Sequence, residues 1–406
     1  MKRSGPIVAG IVLLVSVALA ACTTPAANSP RASQHTTTSA QAAKPSPRST
    51  ITQAAICAAE PADPSAIAVV VVGGESSSSA TPLSAVALPS GRTLWTETLP
   101  GDGVISAVGA ATGSRVVYAI VSKSESAISQ NTELLVAVDA ASGRERVVTS
   151  FQEDAGLYAR ALAVSPDGRY VLVSQSGSGD IGLPGPLGYG ITEIDLQHPK
   201  TSFEFAVAGP WGIAFISPTI AYASYAGGVE LLNVTTHKEL TDGSLPRQEA
   251  GGGVLPGAMA VSPTGASVAV LSHGADLFFP AATVSVVSEP SGRYSGYVGL
   301  STHMGGFGLS FDCTGRYVYA VTDLGVVRAD LTTKTSMTVK LPWIGDLDAV
   351  DRVPGGTSMW LAYSEFTSSS SETTVFLRLT DGSRASVEKV GNLPGYAEAM
   401  ALASAT

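Results

Sequence analysis

Apolar residues along this chain come in short runs that repeat one phrase. A run meets a tight polar turn, and a second run follows. The clearest copies are ALAVSPDGRYVLVS from Ala161, AMAVSPTGASVAVLS from Ala258 and GLSFDCTGRYVYAVT from Gly308. In Pro166-Asp167-Gly168 the proline presets φ and the Asp-Gly pair accepts positive φ, so the phrase predicts two antiparallel strands around a turn. The runs are almost wholly apolar instead of alternating, which predicts strands packed on both faces. Ile191 to Leu196 and Phe203 to Val207 extend the copy at Ala161 into a four-stranded unit, with strands a, b, c and d from inside to outside.

The copies recur about every 50 residues, the spacing of β-propeller blades. The second unit runs from Ile105, the third from Ala161 and the fourth from Gly212. The fifth runs from Ala258 to about Val298, the sixth from Gly308 to about Leu341, and the seventh from near Leu347 to near Val390. The first has strand b at Ala66 to Val72, c at Leu83 to Leu88 and d at Thr93 to Leu99, but no strand a. Ala397 to Leu402 repeats the strand a pattern at the far end of the chain. The expectation is therefore an all-β, seven-bladed β-propeller over residues 56–406, closed by the C-terminal strand completing the first blade. Closure removes sheet edges that would otherwise invite aggregation.

The N-terminus carries a different signal. Lys2 and Arg3 precede an apolar run from Ile7 to Leu19, too short for a comfortable membrane span. Leu19-Ala20-Ala21-Cys22 follows and resembles the bacterial lipobox, which implies a lipoprotein signal peptide over 1–21 and diacylglycerol on Cys22. Residues 22–55 are rich in Thr, Ser, Ala, Pro and Gln, a composition that cannot offset its ordering entropy, so a disordered lipidated tether is expected there. The protein is expected at the cell membrane, lipid-anchored and facing the extracytoplasmic side.

Composition narrows the partners. Lys and Arg number 24 against 33 Asp and Glu, giving a net charge of −9 with no basic stripe, so no nucleic-acid partner is expected. No zinc-like His or Cys spacing appears, and no Gly-x-Ser-x-Gly elbow, so neither metal, cofactor nor catalytic residue is assigned. Of three cysteines, Cys22 goes to lipid; Cys57 and Cys313 remain for one disulfide in an oxidising compartment. Both are expected on the face of the a–b and c–d turns.

That face is nearly all tight turns. The opposite face carries the long segments Gly73 to Pro82, Ser122 to Thr132, Ser176 to Gly190, His273 to Ala282 and Ser364 to Thr373. Long loops on a rigid scaffold are where binding usually sits. The residues just before each strand a should line the channel mouth on that side: Asp102, Tyr158, Arg160, Trp211, His303, Phe307, Asp346, Tyr396 and Glu398. Aromatic walls, one guanidinium and several carboxylates suit a small polar ligand whose anionic group pairs with Arg160. The alternative is that Arg160 neutralises Asp346 or Glu398. Phe279 beside Phe278 is a further contact candidate, and Asp346 with Asp348 could meet a hard cation.

With its SPDG-type turns, the chain resembles the extracytoplasmic YVTN and WD-repeat-like propellers, a superfamily that includes lactonase-like proteins. AVALPSGRTLWTETL, from Ala85, is also similar to the Trp-docking repeat of quinoprotein-type propellers. There the motif has Asp where Ala87 stands, and the other blades lack it, so no quinone-dependent dehydrogenase is expected. The same repeat occurs in a lipoprotein propeller that scaffolds outer-membrane assembly. These features favour a binding or scaffold module working through its long-loop face on an unknown protein or small polar ligand. The alternative is a hydrolase or lactonase-like enzyme acting at the channel mouth.

Overall fold

The chain divides into two compact units, residues 1–49 and 50–406. The computed structural model describes residues 66–73, 81–100, 103–123, 131–153, 157–177, 190–207, 210–225, 228–244, 254–274, 282–288, 293–300, 308–322, 325–339, 341, 345–352, 358–368, 371–380 and 386–404. All lie in the second unit.

They form seven antiparallel sheets of four strands. Blade 1 holds β1 (Ala66–Gly73), β2 (Pro82–Leu88) and β3 (Arg92–Thr98). Blade 2 holds β4 (Val104–Ala110), β5 (Val116–Lys123), β6 (Asn131–Asp139) and β7 (Glu145–Glu153). Blade 3 holds β8 (Leu157–Val164), β9 (Tyr170–Gly177), β10 (Gly190–Asp195) and β11 (Ser202–Phe205). Blade 4 holds β12 (Gly212–Phe215), β13 (Ile220–Tyr225), β14 (Gly228–Asn233) and β15 (Lys238–Ser244). Blade 5 holds β16 (Val254–Val261), β17 (Ser267–Gly274), β18 (Ala282–Ser288) and β19 (Arg293–Gly299). Blade 6 holds β20 (Gly308–Phe311), β21 (Tyr317–Thr322), β22 (Gly325–Asp330) and β23 (Thr335–Val339). Blade 7 holds β24 (Gly345–Arg352), β25 (Ser358–Ser368), β26 (Ser371–Thr380) and β27 (Ser386–Pro394).

The last strand, β28 (Tyr396–Ser404), joins blade 1 in the order β28-β1-β2-β3. It pairs with β1 from Ala66↔Ser404 to Gly73↔Tyr396. The innermost strands touch in sequence round the ring, and β28 contacts both β24 and β4. The fold is the expected seven-bladed propeller, closed by its C-terminal strand.

The apolar runs are explained by where the core sits. Seven clusters of buried side chains lie among the described residues, one at each boundary between neighbouring blades. In β1, Ile67, Val69 and Val71 enter the cluster shared with blade 2. Ala66, Ala68, Val70 and Val72 enter the cluster shared with blade 7. Every second residue thus faces a different neighbour, so the strand has no solvent face on which to place polar residues. Each fully buried valine contributes about 1.5–3 kcal/mol relative to exposure, which makes every boundary strongly cohesive.

The outer rim is joined by a repeated contact. In each c–d turn described below, the residue with positive φ meets strand d of the preceding blade. Gly143 (φ 70) lies under Trp95 of β3, and Trp95 Nε1 donates to the carbonyl of Ala140 at 2.8 Å. This is a docked tryptophan of the kind its sequence motif resembles. Gly91 (φ 69) lies against the backbone of Val390 and Gly391 of β27, so closely that a Cβ would fall 1.9 Å from the Val390 oxygen. His237 (φ 52) stacks on Phe203 of β11, and Lys334 (φ 59) approaches Gly296 of β19.

Two expectations need correcting. Ser364 to Thr373 is not a loop: β25 and β26 run on as a hairpin, pairing Ser364↔Thr374, Glu365↔Thr373, Phe366↔Glu372 and Ser368↔Ser371. The serine run resembles loop composition, but Thr373, Thr374 and Phe366 have strand propensity and the ladder satisfies the backbone. In addition, several innermost strands begin earlier than expected. Tyr158 and Arg160 lie within β8, Asp346 within β24 and Tyr396 within β28, rather than ahead of them.

Candidate functional site

In the innermost strand of blade 3, Ala159 pairs with Gln175 and Ala161 with Ser174, so Arg160 is an extra residue outside the ladder. Blade 2 repeats the slip: Ile105 pairs with Val121 and Ala107 with Ile120, leaving out Ser106. Blade 7 leaves out Asp348, between Leu347↔Tyr363 and Ala349↔Ala362. Blade 1 leaves out Glu398, between Ala397↔Val72 and Ala399↔Val71. Blade 5 slips in the same region, between Pro256↔Ser272 and Met259↔Val270. Blades 4 and 6 instead start their innermost strands at Gly212 and Gly308, immediately after Trp211 and Phe307.

A bulge bends its strand and re-aims the extra side chain. Repetition of the slip sets the backbone positions of Ser106, Arg160, Asp348 and Glu398 at one level of the ring, on the side where the long b–c and d–a connections emerge, and Trp211 precedes β12 on that side. The five are polar, charged or aromatic, whereas strand residues deeper in the blades are almost all apolar.

Breaking the ladder frees backbone amides, and side chains from elsewhere take them up. Ile105 N donates to Thr81 Oγ1 of blade 1 at 2.8 Å. Ala159 N, at the matching position, donates to Glu133 Oε1 of blade 2 at 3.4 Å. Glu133 is fully buried and also accepts from Ser122 Oγ at 2.7 Å. Ala161 N donates to Ser174 Oγ and Gly212 N to Ser224 Oγ, each at 2.9 Å. At the closing blade, Thr374 Oγ1 donates to the carbonyl of Gly395 at 2.8 Å. The bulges of blades 2 and 3 are therefore held by dedicated side-chain partners, and blades 4 and 7 add further bonds on the same side.

Within this ring the Arg160 guanidinium lies over the Trp211 ring, 4.5 Å from its centroid. Such a contact contributes about 0.5–2 kcal/mol and fixes the plane of the guanidinium. Both residues are half-buried. Ser106 Oγ is buried without a hydrogen-bond partner among the described residues. Glu398 is exposed.

Of the expected site residues, the structure thus brings Arg160 and Trp211 together and sets Glu398 at the matching level of blade 1. Tyr158, Asp346 and Tyr396 fall on β8, β24 and β28, with side chains outside the described set. Cys22, Cys57, Asp102, Phe279, His303 and Phe307 lie outside the described residues. Cys313 is buried, 6% exposed, in the a–b turn of blade 6. Sequence reading missed Ser106, Thr81 and Glu133. The signal for Glu133 was a carboxylate beside the apolar run Leu134 to Val138. Among the described residues no group of three or more His, Cys, Asp or Glu could hold a metal ion, and no helix is long and apolar enough to cross a membrane.

No family model matches the chain, and no curated protein sequence matches it. Solved structures do. A candidate 6-phosphogluconolactonase from Bacteroides uniformis ATCC 8492 is 15% identical, with TM-score 0.58, over 84% of this chain and 100% of its own. Another, from Bacteroides fragilis NCTC 9343, is 14% identical, with TM-score 0.56, over 84% of this chain and 98% of its own. Hydrazine synthase from Kuenenia stuttgartiensis is 14% identical, with TM-score 0.52, over 69% of this chain and 86% of its own. Proteins of such different names share the propeller, so the likeness is one of fold. The chain is a seven-bladed propeller with lactonase-like structural neighbours.

Proposed function

We propose that this protein is a lipid-anchored, extracytoplasmic binding module that takes a small polar, anionic ligand at the long-loop mouth of its propeller. The observation that carries the reading is the recurrent bulge, which sets the backbone positions of Ser106, Arg160 and Glu398 at one level, with Trp211 preceding β12 on the same side. Arg160 supplies charge-assisted hydrogen bonds to the anion, Trp211 holds the guanidinium, and Ser106 Oγ offers a further hydrogen bond. Anchoring rests on the Leu19-Ala20-Ala21-Cys22 motif; a Cys22→Ser chain should move from the membrane to the soluble fraction.

Calorimetric titration of the detergent-solubilised full chain with 6-phosphogluconate and with citrate tests the site. Binding of either anion should weaken about tenfold or more in Arg160→Ala, the scale of a lost hydrogen bond to a charged group. No heat from either anion, or equal affinity in the variant, removes the reading. The names of two structural neighbours favour a second reading, a lactonase-like hydrolase at the same mouth. Turnover of 6-phosphogluconolactone above the spontaneous rate, lost in Arg160→Ala, would establish it.

A Cys57–Cys313 disulfide belongs to the same proposal, since it would hold the tether at the tight-turn face and leave the mouth turned away from the membrane. Labelling of the unreduced, denatured chain should find no free thiol at either position; two reactive thiols would refute the bridge.

A further inference from the structure

The rim joint between blades 3 and 4 holds a carboxyl–imidazole pair. Glu193 on β10 is 4% exposed. Its Oε1 lies 3.4 Å from His237 Nε2, in the c–d turn of blade 4. Its Oε2 is buried with no hydrogen-bond partner among the described residues. The His237 ring is stacked on Phe203 of β11, with centroids 4.2 Å apart and planes 12° from parallel, and Phe203 in turn meets Phe205 edge-on. Glu193 and Phe203 are a cross-strand pair, so they face blade 4 together. His237 holds a left-handed φ of 52, a conformation that glycine takes at the equivalent positions 91 and 143.

Across the same boundary, on the inner side, Arg160 of blade 3 lies over Trp211 of blade 4. We propose that the Glu193–His237 pair is a protonation-sensitive clasp between blades 3 and 4 that keeps Arg160 seated on Trp211. The clasp is closed while the Glu193 carboxyl holds its proton and loosened when Glu193 stands as a bare carboxylate.

The chemistry sets the direction. Burial pushes the Glu193 carboxyl from its ordinary 4.5 up to about 7, against the opposing pull of His237. Asp195 on the same strand raises it further, and the Arg169 guanidinium lowers it. Arg169 is already 3.1 Å from Asp195, and His198 also reaches Asp195, at 3.4 Å, so that carboxylate already holds the guanidinium and the imidazole. The proton on Glu193 therefore depends on burial and on His237. Because the folded value lies above the unfolded one, the stabilisation is complete below about pH 4.5 and is lost as pH rises towards 7.

The seating of Arg160 rests on the mouth reading, but the clasp does not. The test therefore uses no ligand: thermal unfolding of the full chain in detergent from pH 4.5 to 8, together with Trp211 emission, taken as wild type minus Trp211→Phe. The wild-type melting temperature should fall as pH rises through this window, and Trp211 emission should change with the same midpoint. Glu193→Gln should flatten both curves, and His237→Gln should move the midpoint upward. Wild-type and Glu193→Gln curves with the same slope would overturn the clasp. Melting that responds while Trp211 emission does not would overturn its link to the mouth.

Discussion

The joints between blades 1 and 2 and between blades 3 and 4 occupy the same place in the fold and are built of different materials. In the first, Trp95 covers Gly143 and its indole N–H finds the Ala140 carbonyl: one large apolar surface and one neutral hydrogen bond, with the Glu145 carboxyl beside it raised by burial and by the charge of Glu97. In the second, phenylalanine replaces tryptophan and has no N–H to offer. The turn supplies the polarity instead, through His237, and Glu193 meets it from blade 3. Glycine at the turn lets the neighbour come close and brings no ionisable group of its own to the aromatic ring. Histidine at the turn keeps the aromatic contact and adds a proton-dependent one. A single position in the repeat thus decides whether the turn brings an ionisable group to the aromatic ring.

Breaking the glycine type should have the largest effect. A Cβ on Gly91 would collide with the backbone of Val390 and would sit at φ 69, so Gly91→Ala should cost about 3–4 kcal/mol in urea unfolding. Gly113→Ala is the control, because its positive φ is the same but nothing lies within 4 Å; it should lose only about 1 kcal/mol. A similar loss in the two variants would mean that close approach at the rim does not matter.

The aromatic halves come next. Trp95→Ala should cost about 3 kcal/mol, and Trp95→Phe about 1 kcal/mol, the latter isolating the bond to Ala140. Phe203→Ala should cost about 2 kcal/mol, since a smaller ring and no hydrogen bond are removed. If Phe203→Ala proved costlier than Trp95→Ala, the two joints could not be ranked by aromatic contact alone.

The smallest effect is one of sign. Hydrogen bonds from the Arg316 guanidinium, with Nη2 at 2.7 Å, hold the Asp330 carboxyl far below its ordinary 3.8. A lowered value gives stability that is present above pH 4 and lost as pH falls, opposite to Glu193. Arg316 is exposed to solvent, which screens the pair, so Asp330→Asn should shift melting slightly above pH 4 and leave the slope between pH 4.5 and 7 unchanged.

Much of this architecture was legible in the residues. Pro166-Asp167-Gly168 and its relatives mark the a–b turns of blades 3, 5 and 6, and the missing strand a of the first unit pointed to Ala397 to Leu402 as its partner. Trp95 with Gly91 gave a docking motif that the rim contact bears out. The bulges were not legible, because an extra residue is defined by the partner it lacks: Ser106 within VISAVGA looks like any strand residue until Val121 and Ile120 are seen to pair around it. For the same reason Arg160 was placed ahead of its strand rather than in it. The clasp was hidden for another reason. Glu193 and His237 lie on different blades, and a lone histidine in a Thr-rich hairpin resembles a solvated turn.

Ring closure has a consequence for the order of events in the cell. Val70 pairs with Met400, and Ala66 with Ser404, so the two ends of the propeller meet in one sheet. A ribosome makes the first of these partners long before the last. Throughout that interval β1 has an apolar, unpaired edge, and blade 1 cannot be completed however well blades 2 to 6 have formed. Partly made chains with open strand edges are the species most prone to aggregate, and such long-range pairing is slow to form. The ring therefore makes folding a late, whole-chain event. That timing suits a polypeptide that must be kept unfolded until its C-terminus has been synthesised, and it would make this protein depend on chaperones in proportion to how slowly its last fifty residues emerge.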